Sequence, residues 1–300
     1  MGYTLSMKLL QLATFPEDKV RALFGLTPPP LGELFAAVLP ELLRRRETKQ
    51  QNKPARKRKV GGGRKRLLAP YQEVLLTLLY LRHNVAFCVV GALFGVSADV
   101  AENTFHEVVQ VLREVCPKEQ WNAQKRWQKG QSSWEPTAED KVLIDSFETP
   151  VPRPSEPGKQ KRLYSGKKKR HTLKTQVITD QNGELLDIDP GHRGPMSDKR
   201  LYEQSGVETT FPDADKQADL GYLGLPTVLT PHKKPKGGEL TEEQKEENRQ
   251  FASARVRVEH GIRRLKGFGI LRDPYRLATG LFPMVASATA GLVQLQRLLG

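Results

Sequence analysis

The dipeptide Asn182-Gly183 constrains the fold of this chain more tightly than any other pair of residues. It follows Asp180-Gln181 and lies between two strand-like runs, His171–Thr179 and Glu184–Ile188. Asn-Gly in that setting is a strong signal for a tight β-hairpin, because both residues tolerate positive φ. Lys141-Val-Leu-Ile-Asp145-Ser-Phe147 reads as a further apolar strand, ending on an acid. Two shorter strands are expected at Lys216-Gln-Ala-Asp219 and Thr227-Val-Leu229. Ser197 can cap a helix running through Gln204, and Thr241 with Gln244 makes a capping box ahead of a long helix. A last amphipathic helix spans Leu281–Leu299.

From residue 141 the order is therefore strand, hairpin of two strands, helix, strand, strand, long helix. A hairpin feeding a mixed sheet with flanking helices is an α/β layered domain, and this is the element order of the ribonuclease-H-like fold. Ahead of it the pattern is helical. Residues 1–43 carry Leu9, Leu12, Leu23, Leu34, Ala37, Val38 and Leu42 at helical spacing, interrupted by Thr27-Pro-Pro-Pro30. Residues 70–116 read as helices over Tyr71–Leu81, Ala86–Phe94 and Asp99–Val115, with Gly95-Val-Ser97 as a sharp break. That is the outline of an all-α helix-turn-helix region, although a plain three-helix bundle gives the same pattern and the last helix carries Glu102, Glu107 and Glu114. Between these parts lie a basic stretch, 44–69, expected as a flexible linker, and a polar stretch, 117–140, with Trp121, Trp127, Trp134 and Pro136, expected as a second one. Residues 141–300 form the expected α/β domain with its C-terminal helix.

Charge points to the partner. With 48 Lys and Arg against 34 Asp and Glu, the net charge is +14 and the pI about 9.8. Such an excess favours a polyanion, nucleic acid or an anionic membrane. No stretch offers the roughly 20 apolar residues of a membrane span, and the N-terminus lacks the pattern of a secretory signal. A cytoplasmic, nucleoid-associated protein is expected, bound to DNA and to no membrane. Between Arg44 and Arg66 twelve bases face the single acid Glu47; there Arg56, Lys57, Arg58 and Lys59 are candidate DNA-backbone contacts, the alternative being a solubilising linker. Arg153–Arg170 is expected as a basic loop, and its Lys167, Lys168, Lys169 and Arg170 are candidates of the same kind. Cys88 and Cys116 lie in apolar, helical surroundings and are expected as buried free thiols.

Helical spacing places Arg255, Glu259, Arg263 and Lys266 on one face, beside an apolar stripe of Phe251, Ala254, Val258, Ile262 and Leu265. Locally this is either a salt-bridged surface helix or a carboxylate held for a metal beside a phosphate. Asp145 and Asp219 tip the balance, since in this strand order the first and fourth strands are neighbours. Three hard oxygen ligands with open positions suit Mg²⁺. His192 and Asp198, in Gly191-His-Arg-Gly-Pro-Met-Ser-Asp198, could reach such a site, or could belong to a capped helix start. Tyr222 could stack beside it or sit at the core edge.

The segment Ile144-Asp-Ser-Phe-Glu-Thr-Pro-Val-Pro-Arg-Pro154 resembles the first-acid motif of bacterial insertion-sequence transposases of the DDE superfamily. Tyr164-Ser-Gly-Lys-Lys-Lys-Arg-His-Thr-Leu-Lys174 resembles the segment that follows it there, and Asp219-Leu-Gly-Tyr222 the second-acid motif. Arg255, Glu259 and Lys266 match the spacing of the third-acid signature; where that signature often has Tyr, this chain has Ala252. The resemblance implies that Asp145, Asp219 and Glu259 are catalytic ligands of two Mg²⁺ ions, for which Mn²⁺ can substitute. It implies phosphate contacts from Arg255 and Lys266; Arg263, on the same helix face, is a further candidate DNA contact. It also implies cleavage of double-stranded DNA at an element's ends, transfer of the freed 3′-OH into target DNA, and a homo-oligomer on DNA. Two rivals are a DDE-type nuclease that does not integrate and an inert DNA-binding protein.

Overall fold

The structure, a computed structural model, describes residues 15–51, 65–116 and 141–300, which group into two compact units. The first is helical: α1 (Glu17–Phe24), α2 (Pro28–Gln51), α3 (Pro70–His83), α4 (Phe87–Phe94) and α5 (Ala98–Val115). The proline run that was expected to interrupt the helices instead starts α2, since at the first helical positions there is no intrahelical N–H bond to lose. Ser97 caps α5 by accepting the Val100 N–H at 3.3 Å. Tyr80 stacks on Phe87 at 4.2 Å between centroids and meets Phe105 at 4.7 Å, tying α3, α4 and α5 together.

Three expectations need correction here. Arg44 to Gln51, expected in the flexible linker, continue α2 as helix. Long-range ion pairs fix this segment. Arg45 pairs with Glu114, and Arg46 reaches Glu73 at 2.6 Å and Glu107 at 2.9 Å. Glu107 and Glu114, the acids that sat oddly on a recognition helix, are thus partners of α2 arginines. Second, Cys88 is exposed; only Cys116 is buried, and burial pushes its thiol up to about 12. Third, residues 291–300, expected with the α/β domain, group with the helical unit, where the Thr27 N–H donates to Gln296 Oε1 at 2.6 Å.

The second unit is α/β. Its elements are β1 (Lys141–Pro150), α6 (Pro157–Leu163), β2 (Tyr164–Ser165), β3 (Arg170–Asp180), β4 (Leu185–Arg193), α7 (Asp198–Gln204), α8 (Val207–Thr210), β5 (Asp215–Ala218) and β6 (Val228–Leu229). Then come α9 (Glu242–Lys266), α10 (Gly269–Arg272) and α11 (Phe282–Leu299), the last two running partly in the helical unit. The sheet path is β4-β3-β1-β5-β6, antiparallel from β4 to β1 and parallel from β1 to β6, with β2 joined to the start of β3. This is the ribonuclease-H-like arrangement expected from the element order. Helix α6 and strand β2 interrupt the expected 153–170 loop; Pro157 opens the helix, and Gln160 anchors it through Nε2 to the Pro154 carbonyl at 2.7 Å.

The hairpin turn is held by Asp180, whose Oδ1 accepts the N–H groups of Asn182 and Glu184, both at 2.8 Å. Gly183 has φ +77°, and a Cβ there would stand 2.5 Å from the Arg257 carbonyl. The turn therefore docks directly on α9, where Arg257 also donates to Gln181 O at 2.6 Å and Arg264 to Gly183 O. Val258, Ile262 and Leu265 of the expected stripe are buried. This docking fixes the helix that carries Glu259 relative to β3.

Candidate active site

Strands β1 and β5 pair in parallel with Ile144 opposite Ala218. The next residue on each is an aspartate, so Asp145 and Asp219 emerge side by side where the parallel pair ends. Clefts at the carboxyl ends of parallel strands are the usual ligand sites of such sheets. Strand β5 stops because Asp219 caps a 3₁₀ turn, Leu220–Tyr222, by accepting the Gly221 N–H at 2.8 Å. Asp145 Oδ1 accepts the N–H of Ser146 at 2.7 Å. Burial, then the charges of Asp219 and Asp198, push the Asp145 carboxyl up to about 6, against the opposing pull of the Ser146 N–H and the Arg255 guanidinium. The two acids line a cavity of about 190 Å³ with Leu220, Phe251, Ala252 and Arg255.

The profile of the family described as DDE superfamily endonuclease matches residues 144–294, starting one residue before Asp145. That of the helix-turn-helix of DDE superfamily endonuclease matches residues 65–118, which include α3 to α5. A protein of Microchaete diplosiphon, named as the probable transposase for insertion sequence element IS702, is 35% identical over 79% of this chain and 84% of its own length. One of Streptomyces albus G, named as the putative transposase for insertion sequence element IS112, is 27% identical over 71% of this chain and 75% of its own. The chain belongs to the insertion-sequence transposases of the DDE superfamily. No solved structure matches it.

Within this family frame the expected site residues fall into groups. Asp145 and Asp219 come together. Glu259 is exposed on α9, and its Oε1 is ion-paired with Arg255 Nε at 3.2 Å, one helical turn back. Among the described residues no three of His, Cys, Asp and Glu stand close enough to hold a metal ion. The donor set still fits a hard cation. Mg²⁺ is commonly held by one or two carboxylates, waters and the substrate's phosphate, and two half-buried aspartates side by side, the charge of one raising the pKa of the other, gain from a cation between them.

Asp198 also belongs to the site. It is the first residue of α7, behind the Ser197 cap, and its Oδ1 accepts from Ser146 Oγ at 2.6 Å and from Lys174 Nζ at 3.2 Å. A Cβ at Gly221 would lie 2.8 Å from both Asp198 Oδ2 and Asp219 Oδ1, so a side chain there would push the two carboxylates aside. Tyr222 is fully buried, and burial followed by the charges of Asp198, Asp145 and Asp219 raises its phenol well above the usual range. Its hydroxyl makes no well-formed hydrogen bond among the described residues, although Ser146 lies beside it. His192 is turned to a different partner, Asp189, at 2.8 Å.

Of the bases, Arg255 acts on Asp145. Lys266 is half-buried with its ammonium 5.1 Å above the Phe147 ring. Burial, then Lys168, lowers its pKa, while Asp145 and Glu148 hold it up. Lys266 thus faces the acids and a basic neighbour together. Arg263 is exposed on α9, and Lys167, Lys168, Lys169 and Arg170 are exposed at the turn into β3. Arg56, Lys57, Arg58 and Lys59 lie outside the described residues. Sequence reasoning missed Ser146, Lys174 and Gly221 as parts of this site. One faint signal existed: a lysine in the middle of a strand-like run.

Among the described residues no single helix is long and apolar enough to cross a membrane.

Proposed function

We propose that this transposase cuts double-stranded DNA at the ends of its element by metal-assisted hydrolysis and joins the freed 3′-OH to target DNA. The adjacent placement of Asp145 and Asp219 beyond the Ile144–Ala218 register, in a cleft shared with Arg255, is the observation that carries the reading. Asp145 and Asp219 would hold the cation, Mg²⁺ or in its place Mn²⁺. Bound there, divalent ions supply Lewis acids to the phosphodiester oxygens and lower the pKa of a water, the chemistry that two-metal sites use for in-line displacement.

The chain's own residues supply the rest. The Arg255 guanidinium can grip a phosphate by two parallel N–H bonds, whereas Lys266 acts as a point charge. A phosphate that takes Arg255 releases Glu259 from its ion pair, which frees the third acid of the family signature to join the aspartates. Arg263 and the 167–170 turn extend the basic surface along the DNA backbone, and Arg56 to Lys59 add a sequence-independent attraction. Helices α3 to α5 supply the helix-turn-helix, and the protein acts as a homo-oligomer on DNA.

A Mg²⁺ assay with element-end DNA and a target plasmid tests this reading. Cut ends together with joined products are expected. Cut ends without joining would indicate a nuclease, and neither product would indicate an inert binder.

A further inference from the structure

Lys174 stands where a strand rarely keeps a lysine. It lies mid-way along β3, opposite Glu148 of β1 and His192 of β4, and is only 6% exposed. A buried ammonium is costly unless it is paired and hydrogen-bonded. This one is both: Nζ donates to the Met196 carbonyl at 2.5 Å and to Asp198 Oδ1 at 3.2 Å. The Met196 carbonyl lies two residues before Asp198, so the lysine grips the start of α7 at two points. The same Asp198 oxygen accepts the Ser146 hydroxyl, and Ser146 is the residue whose N–H caps the Asp145 carboxylate. The other Asp198 oxygen faces Gly221, on which Asp219 leans.

We infer that Lys174 and Asp198 are positioning residues: the buried pair anchors the start of α7 under the sheet and, through Ser146 and the space at Gly221, sets the orientation of Asp145 and Asp219 for a cation. Two observations converge on this. The ion pair is buried, with side chains 8% and 21% exposed, and so is screened far less than one on the surface. Asp145 and Asp219 each accept a backbone N–H, from Ser146 and from Gly221, and Asp198 meets both of those residues, accepting the Ser146 hydroxyl and facing Gly221. Glu259, exposed and paired with Arg255, has no such support. The inference rests on the proposed metal-carboxylate reading of Asp145 and Asp219.

Partners that orient ligand side chains typically change metal affinity or activity by about 10- to 100-fold when removed. The test is Mn²⁺ binding to the full-length, metal-free protein, followed by electron paramagnetic resonance without DNA, for wild type, Asp198→Asn, Asp198→Ala and Lys174→Met. Asn and Ala remove the same charge, but only Asn keeps an oxygen for Ser146 and Lys174. Positioning predicts that Asp198→Asn binds Mn²⁺ at least about tenfold more tightly than Asp198→Ala. If the two variants bind alike, charge alone matters and the inference is overturned. Lys174→Met gives a second, opposite discrimination: loss of a nearby positive charge by itself would tighten Mn²⁺ binding, whereas loss of the anchor weakens it. Tighter or unchanged binding in Lys174→Met would also overturn the inference. Should Lys174→Met fail to fold, the Asp198 pair decides. A wild-type protein that takes up no Mn²⁺ would remove the metal reading, and this inference with it; binding by wild type with Asn and Ala alike removes only the inference.

Discussion

Asp145 carries a burden visible in its pKa. Its carboxyl ionises near 6 in the folded chain, against an unfolded value of about 3.9. A group raised on folding contributes its full share of stability below the unfolded pKa and loses it as pH rises through the folded one. Asp145→Asn should therefore stabilise the metal-free protein at pH 8 by on the order of 2 kcal/mol and leave it nearly unchanged at pH 3.5, as read by thermal melts. The same shift predicts that Mg²⁺ binding weakens as pH falls through about 6, because the ligand must be ionised. Asp219 was legible as the end of a strand; Asp145, expected at the end of its strand, instead lies mid-way along β1, which continues to Pro150 by pairing with β3 after its parallel pairing with β5 stops at Ile144. The Arg255–Glu259 pair was legible as spacing, but which of its two readings holds in the absence of DNA was not, since an i, i+4 pair forms wherever no stronger partner competes. Lys174 was illegible because its partners, Met196 and Asp198, lie more than twenty residues away and meet it only through the β3–β4 hairpin and the turn into α7.

At the scale of elements, the hairpin that most constrained the fold also positions α9. Gly183→Ala combines a positive φ with a clash on the Arg257 carbonyl. It should destabilise the α/β unit by about 1–3 kcal/mol in urea unfolding, more than a glycine of ordinary conformation would. In the helical unit, Glu73 is buried between Arg46 and Arg66, at 2.6 and 2.8 Å. Glu73→Ala leaves two guanidinium groups short of their carboxylate and should destabilise that unit by about 3 kcal/mol; a change below about 0.5 kcal/mol would show the pairs to be incidental. The caps at Ser97, Ser197 and Thr241 were readable because capping is local. The helical state of Arg44 to Gln51 was not. A run of bases looks like a solvated linker until acids from three other places in the chain, Glu73, Glu107 and Glu114, are brought against it.

For the molecule as a whole, the excess of 14 positive charges is the property most directly tied to DNA. Neutralising Arg56, Lys57, Arg58 and Lys59 together should flatten the salt dependence of DNA binding for specific and non-specific sequences alike, by up to about 0.9 in log–log slope for each phosphate no longer neutralised. An unchanged slope would reduce that stretch to a connector. The central claim, that Asp145 and Asp219 form a cation-dependent cleavage site, is tested most directly by Asp219→Ala assayed beside wild type on element-end DNA in Mg²⁺. Cleavage should be abolished while DNA affinity, carried by bases elsewhere in the chain, stays close to that of wild type. Cleavage at the wild-type rate would contradict the account.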